Sequence, residues 1–265
     1  MYRDFANLYD NIVTLSKGKE IVYLRNPGNW GDGLIRAGFE AFAERFSLNY
    51  VEADPECLVE PSRKFAKLLY RYSVEKKKDQ VLLYGGGGGW CKNYDSVRRL
   101  VDNASKRYEH VIVLPSTYEL PPFKRYKNVT FFRRDNNESA SVLPESRFCH
   151  DLAFFLTEQN FEFEIGSGGG VGWFLREDHE SSRLLSRPFY NRDISREGTA
   201  DSDVTDFLRV ISSYDEVVTD RLHVAIGCCV MGVKVKFYPG NYFKNKSVYE
   251  SSMIPYFNEI AHFCE

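Results

Sequence analysis

The segment Asp220-Arg221-Leu222-His223 places an acid, a guanidinium and an imidazole within four residues. It directly follows an apolar run that is typical of a buried strand and precedes a small-residue stretch that is typical of a helix. Asp220, or the threonine before it, can cap that helix. Arg221 and His223 would lie in its first turn, where a cation opposes the helix dipole unless an anion is bound. The segment therefore predicts an anion site that contains a titratable group.

A second candidate is the loop Gly28-Asn29-Trp30-Gly31-Asp32-Gly33, which follows a predicted strand at Ile21–Leu24. Its glycines allow the backbone to approach a ligand, and a helix predicted from Leu34 offers free N–H groups to an anion. The spacing fits neither the GxGxxG dinucleotide pattern nor a P-loop. Asp32 has two interpretations that the residues leave open, a ligand contact or the N-cap of this helix.

Five consecutive glycines, Gly85–Gly89, follow a second predicted strand at Val81–Tyr84. A turn needs only one or two glycines, and each further one costs backbone entropy on folding. Close approach to a ligand at Gly86, Gly87 and Gly88 is therefore the favoured interpretation. A close crossing between two chain segments would require the same residues.

Two further strand ends carry polar groups. Arg133 and Arg134 follow a predicted strand at 129–132, and a guanidinium suits a carboxylate or phosphate if it faces a cleft. If it faces solvent, it pairs with a neighbouring acid instead. Ser116 follows a predicted strand at 111–114, where an ordinary turn explains the residues best.

Strands that alternate with helices of 10–15 residues predict an α/β fold built on parallel sheets. The first half contains the four strands above and helices predicted at 3–16, 34–46, 62–76 and 95–107. In the second half we predict strands at 172–175, 215–219 and 233–238 and helices at 204–212, 222–231 and 247–263, with 176–202 rich in loops. We expect two Rossmann-like lobes, residues 1–155 and 156–265, with ligands at the carboxyl ends of the strands.

Composition excludes several classes of protein. The 265 residues carry 35 lysines and arginines against 37 acids, a net charge of −2 that argues against a nucleic-acid binder. Apolar runs are far shorter than the roughly 20 residues of a membrane span, and the N-terminus lacks a signal-peptide core. We expect a soluble, cytoplasmic protein with reduced, mostly buried cysteines. No histidine or cysteine spacing indicates a metal site.

These segments resemble, in order, the motifs of the polysaccharide pyruvyl transferases. The loop Asn26–Ile35 is similar to that family's GN-x-GD segment, and Gly85–Gly89 is similar to its glycine run. The other matches are Leu114-Pro115-Ser116, Phe132-Arg133-Arg134-Asp135 with Ser139, His150-Asp151-Leu152-Ala153, Asp220–His223, and Asn241-Tyr242 through Lys246-Ser247. Because Ser139 falls one position late relative to Arg134, the choice between Arg133 and Arg134 as the site arginine stays open. Residues 156–202 show no clear correspondence.

The resemblance implies a fold like that of GT-B glycosyltransferases, with the active site between an acceptor-side first lobe and a donor-side second lobe. It implies transfer of a pyruvyl group from phosphoenolpyruvate to a sugar of a glycan or of a lipid-linked precursor, at the cytoplasmic face of the membrane. Arg134, Arg221 and His223 would be the catalytic, donor-binding residues. The further donor or substrate contacts would be Asn29, Asp32, Gly86, Gly87, Gly88, Ser116, Leu222, Asn241 and Lys246.

This chemistry is consistent with the residue types. Phosphoenolpyruvate carries a carboxylate and a phosphate, which suit two guanidinium groups and backbone N–H donors. Formation of a ketal requires a proton at the enol methylene and loss of one from each attacking hydroxyl. His223 is suited to serve as general acid or base near neutral pH. No step calls for a metal or redox cofactor, so phosphoenolpyruvate is a co-substrate.

Two rival functions share these features. One is a GT-B-type glycosyltransferase that uses a nucleotide sugar, and the other is a non-catalytic glycan-binding relative. In either case Trp30, Trp90 and Trp173 are candidates for stacking on sugars. Retention of both Arg221 and His223 counts against loss of catalysis.

Overall fold

The computed structural model describes residues 1–53, 76–92, 96–159, 161, 165–166 and 168–265. The helix predicted over 62–76 lies outside the described residues except for its last position, and so does Cys57. The other five cysteines are free thiols, and four of them are buried. None of the described helices is long and apolar enough to cross a membrane.

The first sheet is parallel and has the order β2-β1-β3-β5-β6-β7, with β4 paired to β5 beyond the end of β3. All neighbouring strands of this sheet run in the same direction, as the alternation of strands and helices predicts. Its strands are β1 (Glu20–Leu24), β2 (Val51–Ala53), β3 (Lys77–Tyr84), β4 (Gly87–Trp90), β5 (Tyr108–Tyr118), β6 (Val129–Arg133) and β7 (Arg147–Phe148).

The helices of this half are amphipathic segments that bury one face. In α1, Phe5, Leu8 and Ile12 are buried along one side. The helices are α1 (Tyr2–Leu15), α2 (Trp30–Arg45), α3 (Ser96–Arg107) and α4 (Glu138–Val142), followed by a 3₁₀ helix at Leu152–Glu158. All the predicted strands and the three predicted helices that the structure describes in this half are present.

The second sheet is also parallel, with the order β11-β10-β9-β8. Its strands are β8 (Val171–Phe174), β9 (Glu216–Thr219), β10 (Lys234–Phe237) and β11 (Ala261–Phe263). The helices are α5 (Val204–Ser212), α6 (Leu222–Met231), α7 (Lys244–Val248) and α8 (Ile254–Phe257), with a 3₁₀ turn at Ile194–Arg196 and a π-helical turn at Tyr249–Met253. As predicted, the stretch 176–202 consists mostly of loops.

The predicted closing helix at 247–263 is wrong at its end. The helical stretch begins at Lys244, passes through the π-helical turn and ends at Phe257. Residues Ala261–Phe263 form β11 instead, parallel to β10. The edge of the second sheet offers unpaired backbone groups to this segment, and such pairing outweighs a local helical preference.

One hydrophobic core connects the two sheets. The 3₁₀ helix Leu152–Glu158 packs against both α2 and α6, and its Phe154 and Phe155 are fully buried. The same core cluster contains Leu34 from α2 and Val224 from α6. This packing fixes the amino ends of α2 and α6 near one another, which brings the predicted loops of the two halves to one place.

Candidate active site

A cavity of about 970 Å³ opens between the loops of the two halves. Such a volume lies at the upper end of the range for small-molecule sites, roughly 300–1,000 Å³. Its walls come from the ends of β1, β3, β6 and β8, from β4 and α3, and from the starts of α2, α6 and α7. The predicted site residues that line it are Asn29, Asp32, Gly88, Arg134, Arg221, Leu222 and His223.

The amino end of α2 forms one wall of the cavity. Asn29 caps the helix by accepting the Gly31 N–H at 2.8 Å, and the carboxylate of Asp32 accepts the Asn29 N–H at 3.2 Å. This reciprocal capping box satisfies two N–H groups that a helix terminus leaves unpaired. The helix therefore begins at Trp30 rather than Leu34, and Asp32 lies inside it instead of being its N-cap. The side chain of Asp32 still lines the cavity.

The glycine run serves mainly to let chain segments cross. A Cβ atom at Gly86 would lie 2.6 Å from the carbonyl oxygen of Pro115, and Gly86 and Gly87 both have positive φ. Neither lines the cavity, whereas Gly88 and Gly89 do. The backbone crossing that the sequence leaves open thus explains the first glycines, and close approach to the cavity is confined to the last two.

Arg134 is the arginine that faces the cavity. It is fully buried, its Nε donates to Thr117 Oγ1 at 2.8 Å, and its Nη1 donates to Asp151 at 2.5 Å. Its Nη2 is also buried and has no hydrogen-bond partner among the described residues. Arg133 instead bonds the carbonyl of Ser146 and the side chain of Asn136. A buried guanidinium with one unused donor is costly unless a ligand completes it.

Asp151 links this arginine to the histidine of the other half. The same oxygen that accepts the bond from Arg134 lies 3.7 Å from His223 Nε2. Burial opposes ionisation of Asp151, but the charges of Arg134 and His223 outweigh it and hold the pKa of the carboxyl well below its usual range. Asp151 is therefore a permanent negative charge between two candidate donor-binding side chains.

Arg221 is held by two carboxylates. Its Nε and Nη2 bond both oxygens of Asp193, and Nη2 also donates to Asp178 at 2.9 Å. This fork fixes the plane of the guanidinium. Its third nitrogen, Nη1, makes no hydrogen bond with any described residue and belongs to a side chain that lines the cavity. The same Asp178 binds Arg176, another cavity residue, through a pair of bonds at 2.9 and 3.0 Å.

Lys244, at the start of α7, completes the cationic inner end of the cavity. Its Nζ donates to Glu180 at 2.8 Å, and burial lowers the pKa of the ammonium group. The position that a Cβ would occupy on Gly88 lies 3.4 Å from Arg134 Nη2 and 3.6 Å from Lys244 Nζ. Two cations therefore face the same small space beside Gly88, where an anion would find a donor from each.

Five predicted site residues do not line the cavity. Beside the glycines described above, Ser116 is buried and its hydroxyl bonds the Leu114 carbonyl. Asn241 is exposed and donates to the His179 carbonyl. Lys246 is exposed and pairs with Glu265 at 2.5 Å. These five are Gly86, Gly87, Ser116, Asn241 and Lys246, and we leave them out of the candidate site.

Sequence reasoning missed the residues that surround the predicted cations. Asp151 and Lys244 lie within stretches that resemble family motifs, and this position is the signal that could have identified them. The acidic and basic side chains in the loop-rich middle gave no such signal, because that stretch matches no motif. The missed residues are Asp151, Arg176, Asp178, Glu180, Asp193 and Lys244.

Two of the three tryptophans are core residues rather than sugar platforms. Trp30 packs on Phe207 and donates to the Asp203 carbonyl, and Trp90 is buried and donates to the Leu120 carbonyl. The prediction that Trp30 and Trp90 stack on sugars is therefore wrong. Trp173 is half-buried in β8 and does not line the cavity.

Comparison with known proteins agrees with the motif order. The family model for polysaccharide pyruvyl transferases matches residues 29–235. A crystal structure of a protein of uncharacterized function from Klebsiella pneumoniae aligns over 98% of each chain, with a TM-score of 0.72 and 24% identity, which shows a shared fold. No curated protein matches the chain. The family match covers more than half of the sequence and includes every cavity-lining motif from Asn29 to His223, so the chain belongs to the polysaccharide pyruvyl transferase family.

Proposed function

We propose that the protein transfers the pyruvyl group of phosphoenolpyruvate to a sugar and forms a pyruvate ketal. The observation that carries this proposal is the buried, unpartnered Nη2 of Arg134 beside Lys244 at the inner end of the cavity. An anionic group seated there would satisfy the orphaned donor and neutralise two desolvated cations. Phosphoenolpyruvate offers two such groups on a three-carbon frame.

The second anionic group of the donor would reach Arg221. The fork of Asp193 and Asp178 orients this guanidinium, and its free Nη1 would supply the contact. Because Arg134, Arg176, Arg221 and Lys244 each already pair with a carboxylate, the inner end of the cavity is not a strongly positive trap. Shape and hydrogen bonds, rather than net charge, would select the donor.

His223 would move protons between the hydroxyls of the acceptor and the departing groups. It lines the cavity next to the proposed donor site, and its Nε2 lies 3.7 Å from the carboxylate of Asp151. A hydroxyl that attacks the central carbon of the donor must lose its proton, and phosphate must leave. A histidine that is partly accessible from the cavity is suited to both tasks.

The acceptor would lie in the outer arm of the cavity, along α3. There the walls are apolar at Val97, Leu100 and Phe123 and polar at Asn103 and Lys106. Phe123 is exposed, and the guanidinium of Arg98 lies 4.0 Å from its ring centroid. A surface that combines an aromatic ring with amide and charged groups suits a saccharide, whose rings have apolar faces and polar edges.

We propose further that the two parallel sheets belong to two Rossmann-like lobes, residues 1–155 and 156–265, arranged as in GT-B glycosyltransferases. Two separate parallel sheets and a cavity lined from both sides of residue 155 support this arrangement. A lipid-linked acceptor and a location at the cytoplasmic face of the membrane stay predictions from the resemblance.

The test is a thermal-shift titration with phosphoenolpyruvate beside UDP- and GDP-sugars. A ligand at 100 times its Kd stabilises a protein by about 2.7 kcal/mol. We expect a shift with phosphoenolpyruvate that is lost in Arg134→Ala and Arg221→Ala. The surface variant Arg209→Ala is the control, because this arginine lies in α5 and does not line the cavity. A shift with nucleotide sugars alone would instead indicate glycosyl transfer.

A further inference from the structure

Asp32 is a carboxyl group on the cavity wall that forms no ion pair with any described residue. Its Oδ2 accepts the backbone N–H of Asn29, within the capping box. The arginine and the lysine that face the cavity nearby form their ion pairs with other carboxylates, Arg134 with Asp151 and Lys244 with Glu180. Asp32 is half-buried and open only to the cavity. Its remaining hydrogen-bonding capacity is therefore available to a ligand.

The loop before α2 places Asp32 and His223 on one side of the proposed donor site. A Cβ atom at Gly28 would lie 2.0 Å from Asp32 Oδ2, and one at Gly31 would lie 2.5 Å from His223 Nδ1. The two glycines therefore make room for both titratable side chains. Each group can face the same ligand, with Arg134 and Lys244 holding that ligand from the side of Gly88.

The surroundings of Asp32 raise its pKa above the ordinary value of an aspartate. Burial raises the pKa of this carboxyl, and the charges of His223, Arg134 and Lys244 together with the Asn29 bond lower it by less. Tyr84, on β3, is the other titratable neighbour, and burial together with the nearby Asp32 raises the pKa of its phenol. A bound donor would offset the positive charges of Arg134 and Lys244 and would favour the protonated carboxyl further.

We propose that Asp32 is the general acid that protonates the methylene carbon of phosphoenolpyruvate, and that His223 is the base that accepts the proton of the attacking sugar hydroxyl. This assignment rests on the proposed function and divides the two proton transfers between two groups. Asp151 then acts as a positioning residue for the imidazolium.

The steps balance. In the first, the C–H bond of a new methyl group forms with the proton of Asp32, the sugar oxygen bonds to the central carbon, and His223 takes the hydroxyl proton. A tetrahedral phosphoketal results, with Asp32 ionised and His223 charged. In the second step, the C–O bond to phosphate breaks, and His223 donates its proton to the departing phosphate. The second hydroxyl attacks and returns its proton to Asp32.

The variant Asp32→Asn tests the assignment, because its amide oxygen can still accept the Asn29 N–H and keep the capping box. The assays are the thermal shift with phosphoenolpyruvate and the release of phosphate with methyl glycosides of glucose, galactose and mannose. We expect the variant to keep its shift, with a Kd within about threefold, and to lose roughly 100-fold or more in turnover. Asp32→Glu, which retains an acid, should keep part of the activity.

The pH profile separates an acid from a structural role. A general acid must hold its proton, so wild-type turnover should fall as pH rises through the pKa of Asp32, and this basic limb should be absent in Asp32→Asn. Unchanged turnover or an unchanged limb would overturn the assignment, as would loss of donor binding in the variant alone. A wild-type protein that neither binds nor consumes phosphoenolpyruvate would overturn the proposed function and the assignment together.

Discussion

The carboxylate of Asp151 lies 3.7 Å from Nε2 of His223, although Asp151 follows β7 of the first sheet and His223 lies on α6, which follows β9 of the second sheet. The same oxygen accepts a hydrogen bond from Arg134. The proposed donor-binding arginine and the proposed proton-carrying histidine therefore share one negative charge. A change in the protonation of His223 alters the charge balance around Arg134, and a bound anion on Arg134 alters that around His223.

Asp151→Asn should destabilise the protein strongly. It removes the charged partner of a fully buried guanidinium, and breaking such a pair costs about 3–5 kcal/mol. Urea unfolding measures this loss. Asp201→Asn is the matched control, since this aspartate is 58% exposed in its pairs with Arg25 and Arg36 and should cost no more than about 1 kcal/mol. Equal losses in the two variants would contradict the role of Asp151.

His223→Ala should lower turnover by roughly 10²–10⁴-fold and leave the fold intact. In the proposed reaction this side chain accepts and donates the transferred proton, whereas its removal leaves the apolar contacts of α6 in place. Turnover and thermal unfolding are measured in parallel. The control is His262→Ala on β11, an exposed histidine away from the cavity, which should behave as wild type. Wild-type turnover in His223→Ala would exclude this histidine from the chemistry.

Substitutions of Lys244, which lines the cavity, and of Lys246, which the motif favoured, test which lysine binds the donor. Loss of a hydrogen bond from a charged group costs about 1.5–3 kcal/mol, so Lys244→Met should weaken binding of phosphoenolpyruvate by about 10- to 150-fold. Lys246→Met removes only an exposed pair with Glu265 and should leave binding unchanged. Calorimetric titration checks both, and the reverse ranking would restore Lys246 to the site.

Gly88→Ala should impair binding without loss of stability. Its added methyl would lie 3.4 Å from Arg134 Nη2, an ordinary contact distance, so the ligand-free protein accommodates it. The methyl occupies the space between Arg134 and Lys244, and we expect the Kd for phosphoenolpyruvate to rise by about tenfold or more, equal to about 1.4 kcal/mol. Undiminished binding would mean that the donor lies elsewhere in the cavity.

His150 should make the protein less stable in acid. Burial lowers the pKa of its imidazole to about 4; the charge of Asp4 opposes this effect, and the charge of the N-terminus adds a smaller lowering. The unfolded chain, with a histidine pKa of about 6.5, binds more protons than the folded one between these values. Stability from the neutral imidazole is therefore complete above about pH 6.5 and declines as pH falls towards 4.

The measurement for His150 is urea unfolding at several pH values between these limits. His150→Gln removes the titrating group and should show a flatter decline in acid, although loss of the ring contacts with Phe5 and Tyr256 lowers its stability at every pH. Parallel curves for the variant and the wild type would show that another group controls the acid response.

Local patterns predicted the elements and the motif residues. Buried runs such as Val81–Tyr84 lie in parallel strands, and the helix after Arg221 begins at Leu222 as its residues indicate. Arg134, Arg221 and His223 reach one cavity because they follow strand ends in two sheets that share a core. The alternation of strands and helices predicts parallel sheets, and the carboxyl ends of parallel strands are where ligand-binding residues gather.

What the sequence did not predict depends on contacts over long separations. Glu180 meets Lys244 across 64 positions, and no periodicity marks either residue. The spacing of the last motif favoured Lys246, whereas the start of α7 directs Lys244 inward. Likewise Gly86 is a glycine because Pro115 crosses it, and a pattern of glycines alone does not tell a crossing strand from a ligand.

The cavity has a blind end and an open end. Arg134 at the inner end is fully buried, whereas Phe123 at the outer end is 48% exposed. Under the proposed function the donor binds at the blind end and the saccharide in the outer arm, so an acceptor that binds first would block the entrance. We therefore expect a compulsory order of turnover, in which the donor binds before the sugar and the ketal departs before the inorganic phosphate beneath it.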